Sequence, residues 1–187
     1  MGNIETIYDF FTDVVTTIND EASTGDPILK YQYGHSRDIQ ATLIEQGRDL
    51  SPDEMFPLLV LFLDVTEDVD SDNKGNTVYN CNLALMTHTK LTWSQADRLR
   101  ENFKFTLYPM YDKLIAEVKL RSDSLDEWGN LVHTKIDRFY WSTDGAAEQN
   151  VFAAYLDAIE INDMEIATKF LPECGVVPPV TNNVTYN

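Results

Sequence analysis

Residues 56–63 form a run of eight positions without a single polar side chain. A helix needs about 20 apolar residues to cross a bilayer, so this run is too short to span one. A short apolar run that ends at turn residues is typical of a strand buried on both faces. We therefore expect a central strand here, with Leu59, Leu61 and Phe62 almost fully buried.

Two stretches carry apolar residues at spacings of three and four, which is the period of an amphipathic helix. The first spans residues 4–20, and its stripe consists of Ile4, Ile7, Tyr8, Phe11, Val14, Val15 and Ile18. The stripe of the second consists of Ala96, Leu99, Phe103, Leu107, Met110, Leu114 and Val118. We expect both helices to cover the central strand, with Leu99, Phe103 and Leu107 close to it.

The second helix has a predicted start and a predicted irregularity. Thr92 and Gln95 have the spacing of a capping box, in which a threonine caps the helix and the residue three positions later bonds back. Pro109 lies within the apolar stripe. Proline has no amide donor and crowds the preceding turn, so a kink or a break is expected there.

Alternating apolar and polar positions predict further strands. They cover residues 28–33, 78–89, 131–141 and 156–170. On the second of these, Tyr79, Cys81, Leu83, Leu85 and Thr87 share one face. The strands at 56–63 and 78–89 flank the polar residues 66–76, which we interpret as the loop of an antiparallel hairpin.

The last predicted strand contains a change of period. Ile159 and Ile161 lie on one face, and the apolar positions then resume at Met164 and Ile166. One extra residue in a period of two is the mark of a β-bulge. We expect the bulge near residues 162–163.

The segment between the first two strands is less clear. Ile39, Leu43 and Ile44 could form a short helical face that stops at Gly47. Ser51 has the position of a helix cap, with Pro52 after it and an acidic residue three positions on, which predicts a single helical turn.

These elements predict the α+β class. We expect a largely antiparallel sheet of about five strands with two long helices on one face. Residues 1–171 should form a single domain. Residues 172–187, which contain Pro178 and Pro179, should form an extended C-terminal arm.

The formal net charge of −17 makes some classes of function less favourable than others. Binding to nucleic acid or to an anionic membrane surface needs clustered lysine and arginine, which this composition disfavours. One interpretation is solubility through self-repulsion. The other is an acidic surface that repels DNA passing nearby.

Processing and redox signals are few. The N-terminus has neither the basic region nor the apolar core of a signal peptide, so none is expected. The two cysteines, Cys81 and Cys174, do not amount to a disulfide framework. We expect both to be free thiols in a reducing cytoplasm.

Residues 68–75 are the most suggestive motif for a ligand, because carboxylates at alternate positions begin a calcium-binding loop. Asn73 stands at the sixth position, where such loops need glycine, and Tyr79 stands at the twelfth, where they need a bidentate glutamate. We favour a solvated hairpin tip and keep calcium binding as the alternative.

No catalytic constellation is predicted. The three histidines, His35, His88 and His133, are far apart in the sequence, and none has a ligand at metal-binding spacing. Neither a glycine-rich phosphate loop nor a nucleophile elbow is present. We therefore expect neither catalytic, cofactor nor metal residues, and interpret the chain as a non-enzyme.

Five stretches together resemble small structural proteins of tailed phages that infect Bacteroidetes, including crAss-like phages. They are YGHSRDI (33–39), FPLLVLF (56–62), FTLYPMYDKL (105–114), RFYW (138–141) and DAIEI (157–161). The order of elements is similar to that of phage tail-terminator and tail-completion proteins. The resemblance covers most of residues 1–170 and brings no catalytic residues with it.

The resemblance implies a virion protein of the neck or head–tail junction, assembled in the host cytoplasm. It implies a ring or connector subunit that joins the portal to the tail, with itself and neighbouring neck, tail or portal proteins as partners. DNA would then be a non-specifically repelled cargo in the channel, and no membrane would be involved. The competing interpretation is a stand-alone acidic binding module, calcium-dependent through the 68–75 loop.

The C-terminal arm is the one predicted partner-binding element. A polar, proline-containing end cannot bury enough apolar surface to order itself. We expect it to lie along neighbouring subunits or an adjacent ring; the alternative is that it folds back on its own domain. Its expected anchors are Val176, Val177, Val180, Val184 and Tyr186.

Overall fold

A computed structural model of the chain describes residues 4–63, 65–68, 76–90, 92–122, 125–127, 129–139 and 155–169. The helices are α1 (Ile4–Asp20), α2 (Ser36–Asp49), α3 (Pro52–Met55), α4 (Gln95–Arg98) and α5 (Tyr108–Arg121), and a π-helical segment (Leu99–Leu107) joins the last two. The strands are β1 (Lys30–Gly34), β2 (Leu58–Phe62), β3 (Thr66–Asp68), β4 (Asn76–His88), β5 (Thr134–Arg138) and β6 (Leu156–Lys169).

The strands form one mixed sheet in the order β1-β2-β4-β6-β5, and β3 pairs with β4 beside this path. The pair β1–β2 is parallel. All the other pairs are antiparallel, including the predicted hairpin of β2 with β4. The prediction of an α+β fold with a largely antiparallel sheet is therefore confirmed.

One face of the sheet, which we call the wide face, is covered by both long helices. The apolar stripe of α1 meets the stripe of the π-helical segment and α5 over the strands. The fully buried side chains of this core come from both helical elements and from the sheet. They include Phe11, Leu61, Tyr79, Phe103, Leu114 and Ile159. The predicted placement of two long helices on one face is confirmed.

The opposite face, the narrow face, has a smaller core. Ile39 and Leu43 of α2 and Met55 of α3 pack against the alternate side chains of β2, β4 and β6. The strand side chains on this face are Leu58, Val60, Ala84, Met86, Leu156 and Ala158. Strand β2 is therefore buried on both faces, as its unbroken apolar run predicts.

One burial prediction at the margin of the core is wrong. Phe62 is half-buried rather than fully buried, because it is the last residue of β2, at the rim of the narrow-face core. Leu59 and Leu61 are fully buried as predicted. Phe103 and Leu107 belong to the same core, and the half-buried Leu99 packs against it, so all three lie near the central strand as predicted.

The long helix begins later than predicted. Its cap is Ser94 rather than Thr92, and the carboxylate of Asp97 accepts bonds from the Ser94 amide at 3.1 Å and from its hydroxyl at 2.7 Å. Both Thr92 and Ser94 have an acceptor three residues later. The charged carboxylate of Asp97 complements the helix N-terminus better than the neutral amide of Gln95 does.

Pro109 does not break the long helix. It lies in the first turn of α5, a position where the missing amide donor costs little. The turns before it adopt the wider π register, in which the Tyr108 amide bonds to the carbonyl of Phe103, five residues back. The irregularity is therefore present, but as π-helical turns rather than a break.

Helix α2 is longer than the short face suggested by the sequence. It runs through Gly47, because the burial of Ile39 and Leu43 outweighs the roughly 1 kcal/mol cost of a glycine inside a helix. Ile44 lies outside the apolar face and is exposed. The single turn after Ser51 is present as α3, and the Glu54 carboxylate accepts from the Ser51 amide at 2.8 Å.

The predicted bulge is confirmed. Cys81 pairs with Met164 and Leu83 pairs with Ile161, so β6 carries one extra residue between them. Asp163 has a positive φ of 55°, and its amide donates to the side chain of Asn82 at 3.1 Å. The bulge keeps Met164 and Ile166 on the wide face.

Several strand boundaries differ from the predictions, since β1 begins at Lys30 rather than at residue 28 and β4 begins at Asn76 rather than at Val78. Residues 66–68 of the predicted loop form β3, which pairs with β4. Strand β5 begins at Thr134 rather than Leu131.

Candidate functional site

The predicted arm anchors Val176, Val177, Val180, Val184 and Tyr186 lie outside the described residues, as do Cys174 and residues 69–75 of the acidic loop. No group of three or more potential metal ligands occurs among the residues that the structure does describe. Cys81 is a buried free thiol, and burial raises its pKa to about 12.

A cleft of about 450 Å³ lies where β4 ends. The turn before β1, helix α3 and the π-helical segment surround it. Its lining is Gly25, Pro27, Ile28, Lys30, Pro52, Asp53, Phe56, Pro57, Thr87, His88, Lys90, Trp93, Asn102 and Thr106. The lining therefore combines charged, aromatic and proline side chains.

A buried polar contact forms the floor of this cleft. The side-chain amide of Asn102, in the π-helical segment, donates to the carboxylate of Asp157 at 2.7 Å and to the carbonyl of His88 at 3.2 Å. Asp157 is fully buried at the start of β6. A buried carboxylate is costly unless it is hydrogen-bonded, so Asn102 fixes the π-helical segment to the ends of β4 and β6.

Two cations lie at the rim of the cleft. The ammonium of Lys30 lies 3.4 Å from the Asp53 carbonyl and 3.5 Å from the Phe56 carbonyl. Lys90 lies over the indole ring of Trp93, 5.0 Å from its centroid. The rim therefore carries positive charge and an aromatic surface.

His88 is the one titratable ring in the cleft. Burial lowers its pKa, and the nearby charge of Lys90 acts in the same direction, whereas the carboxylates of Asp53 and Asp157 oppose the shift. No described residue makes a hydrogen bond to the imidazole. His88 therefore adds one polar ring to the charged and aromatic side chains that line the cleft.

The other two histidines have structural roles. His35 caps α2, and its Nδ1 accepts from the amide of Arg37 at 3.3 Å. His133 Nδ1 contacts the Leu131 carbonyl at 2.9 Å and therefore carries the proton, which leaves Nε2 to accept from the Tyr111 hydroxyl. This bond ties the segment before β5 to α5.

Strand β5 is fastened to the long helix by a second tyrosine. The hydroxyl of Tyr108 donates to the carboxylate of Asp137 at 2.6 Å, and this bond raises the pKa of Tyr108 to about 12. Arg138 pairs with Glu160 of the neighbouring strand at 2.7 Å. The β5 side of the sheet is therefore held by side chains as well as by its ladder.

The sequence analysis missed the functional candidates Asn102 and Asp157. A signal for Asn102 existed, since it immediately precedes Phe103 of the apolar stripe, where a polar residue would be buried. Asp157 follows the same logic, because it lies on the face of β6 that otherwise carries Ile159 and Ile161. Neither signal indicates which residue is the partner, because that pairing spans 55 positions of the chain.

No family model and no curated protein sequence matches this chain. Among the described helices, none combines the length and apolar character needed to cross a membrane.

Proposed function

We propose that this chain is a structural virion protein, a ring or connector subunit of the tail-terminator or tail-completion type. It would join the portal to the tail at the phage neck, around the DNA channel. Its partners would be further copies of itself and the neighbouring neck, tail or portal proteins.

The observation that carries this proposal is how the stretches with the phage resemblance pack together. Leu61, Leu107 and Ile159 belong to three of those stretches, which are far apart in the sequence, and all three are fully buried in the wide-face core. The resemblance therefore concerns residues that build one domain, and not only scattered surface positions.

The charge of the surface supports the same role. Exposed carboxylates cover the outer side of α1, at Asp9 and Asp13, and of α2, at Asp38, Glu45 and Asp49. At a net charge of −17 the surface repels phosphate groups. A ring around a channel needs this property, because DNA must slide past it without binding.

Purified particles test the proposal directly. We expect the protein in phage particles isolated on a density gradient, at a small, fixed copy number relative to the portal. Particles from a phage that lacks the protein should contain filled or leaking heads separated from tails. Cryo-electron microscopy of intact particles should place it at the neck.

Two results would contradict the proposal. The first is absence from particles that retain every other structural protein. The second is a purified chain that stays monomeric at all concentrations and gains thermal stability with added calcium, which would favour the binding module instead.

A further inference from the structure

Strand β1 lies at an edge of the sheet, and only alternate residues of it direct their backbone amides and carbonyls towards β2. Within the described residues it pairs only with β2. The Lys30 amide bonds to the Pro57 carbonyl at 2.9 Å, and the Leu63 amide bonds to the Gly34 carbonyl at 3.2 Å. In a parallel ladder these bonds alternate, so the backbone groups of Tyr31 and Tyr33 point away from β2.

One outward position is closed by a side chain. Asn19, near the end of α1, donates to the Leu29 carbonyl at 2.9 Å and accepts from the Leu29 amide at 2.8 Å. Its amide thus occupies the place of a neighbouring strand beside Leu29. No described residue does the same for the amides and carbonyls of Tyr31 and Tyr33. This leaves a short edge that can accept another strand.

The surroundings of this edge suit an added strand. On the α1 side, the rings of Tyr8 and Tyr33 stack at 4.2 Å, and Tyr33 is 54% exposed. On the α2 side lies a groove of about 340 Å³, lined by Tyr31, Gln32, Tyr33, Asp38, Ile39 and Thr42. Alternate side chains of an added strand would meet an aromatic surface on one side and a groove on the other.

We propose that residues 180–186 of a neighbouring copy of this chain add to β1 as a further strand. The even positions of this segment carry Val180, Val184 and Tyr186 together with one polar residue, Asn182, while the odd positions carry Thr181, Asn183 and Thr185. Valine, threonine and tyrosine favour strands. The mainly apolar even set suits the tyrosine side of the edge, and the polar odd set suits the groove.

Charge identifies the occupant as this segment. Residues 176–187 contain no charged side chain, in a chain whose net charge is −17. Copies of so acidic a chain repel each other, and an uncharged segment is the part that can approach a neighbour with the least electrostatic cost. Ten residues, 170–179, could span at most about 35 Å if fully extended, which is enough to reach a neighbouring copy.

The added strand comes from a neighbouring copy, because this inference rests on the proposed function. A strand donated by one copy to the edge of the next is a head-to-tail contact between two different surfaces. Contacts of this kind form a ring when the rotation between successive copies closes, and an open filament when it does not. Backbone bonds would supply the attachment without a large rigid interface.

Two variants of the full chain test each half of the contact. Tyr33→Pro removes the outward amide but no bond to β2, which an edge position tolerates. Its control, Tyr33→Ala, loses the ring but keeps the amide. Val184→Asp places a charge inside the segment, and its control, Asn187→Asp, places the same charge just beyond it. Thermal melts monitored by circular dichroism establish that all four fold.

The measurement is self-association by mass photometry and sedimentation. We expect each test variant to weaken association about tenfold or more, and each control to weaken it less. An equimolar mixture of Tyr33→Pro and Val184→Asp should recover dimers, because one variant retains an intact segment and the other an intact edge. In the wild-type assembly the amides of Tyr31 and Tyr33 should exchange slowly with deuterium.

The outcomes separate this inference from the proposed function. Variants that assemble like the wild type would overturn the strand contact, while presence in phage particles would leave the ring proposal intact. The alternative is that the segment binds the edge of its own chain. In that case the mixture of variants would stay monomeric, and the amides of Tyr31 and Tyr33 would be protected from exchange in the wild-type monomer. This result would overturn the proposal that the strand comes from a neighbour. A wild type absent from particles would contradict the proposed function independently of the variants.

Discussion

The same strands build both faces of the sheet, yet the two faces are covered differently. Strand β2 sends Leu59 and Leu61 into the wide face and Leu58 and Val60 into the narrow face. The wide face is closed by two long helices, whereas the narrow face is closed by α2 and one short turn. The side chains of β2 are therefore equally buried on both faces, but the helices that cover the wide face hold them more tightly than those that cover the narrow face.

The difference shows how apolar length determines coverage. The wide face continues along the whole of β4 and β6, with Tyr79 and Ile166 fully buried beyond the end of β2. At the same level the narrow face presents Asn80, Asn82 and Glu165, which are only half-buried. A polar face needs no helix, so α2 covers only the part beside β2.

The largest expected effect is the replacement of a wide-face leucine. Leu61→Ala removes a fully buried side chain that both the sheet and two packed helices enclose. We expect a loss in free energy of unfolding in the upper half of the range of about 2–5 kcal/mol, because little can collapse into the cavity. Urea unfolding followed by circular dichroism measures it.

Leu58→Ala is the matched control in the same strand, with the same atoms removed on the narrow face. We expect its cost near the lower end of about 2–5 kcal/mol, since a single helix can settle into the space. Equal costs for the two variants would show that the faces are equally constrained. A cost below about 1 kcal/mol for Leu61→Ala would remove β2 from the centre of the fold.

Asn102→Ala tests the polar end of the wide face. It leaves the fully buried carboxylate of Asp157 without its 2.7 Å donor, so we expect a loss of about 1–3 kcal/mol. Lys104→Ala, an exposed position of the same π-helical segment, should change stability by less than about 0.5 kcal/mol. If Asn102→Ala is as stable as Lys104→Ala, the contact between Asn102 and Asp157 does not contribute to the free energy of unfolding.

Asn19→Ala tests the contact between α1 and the turn before β1. The substitution removes two hydrogen bonds to the backbone of Leu29, and water can reach part of the vacated space. We expect a loss of about 1 kcal/mol. Faster deuterium exchange at the Leu29 amide should accompany it, and unchanged exchange would contradict the role of Asn19 as a substitute strand.

The smallest effect concerns pH on the narrow face. Because burial lowers the pKa of His88, the unfolded chain takes up its proton at higher pH than the folded chain does. The stabilisation is complete above the ordinary histidine pKa of about 6.5 and decreases as pH falls through the lowered value. His88→Gln should therefore show a shallower loss of the urea midpoint between about pH 7 and pH 5. An identical pH dependence would exclude this contribution.

Local sequence patterns predicted the elements whose signals agree with their surroundings. Helix α1 has its predicted bounds, and the bulge lies where the period of two is interrupted. Predictions failed where two local signals competed. Thr92 and Ser94 both fit a helix cap, and Gly47 opposed a helix that Ile39 and Leu43 favour. The carboxylate of Asp97 decides the first case, and the burial of Ile39 and Leu43 decides the second.

The sequence by itself determined the class of fold, the central strand and the faces of the helices, because hydrophobic period is a local property of the chain. Only the tertiary structure decided that β1 joins β2 in parallel, that Asn102 meets Asp157, and that Asn19 closes one outward position of the β1 edge while Tyr31 and Tyr33 lack such a partner among the described residues. Each of these depends on which distant segments become neighbours. Hydrogen-bond partners across a fold leave no periodic trace in either segment, so the packed chain alone selects them.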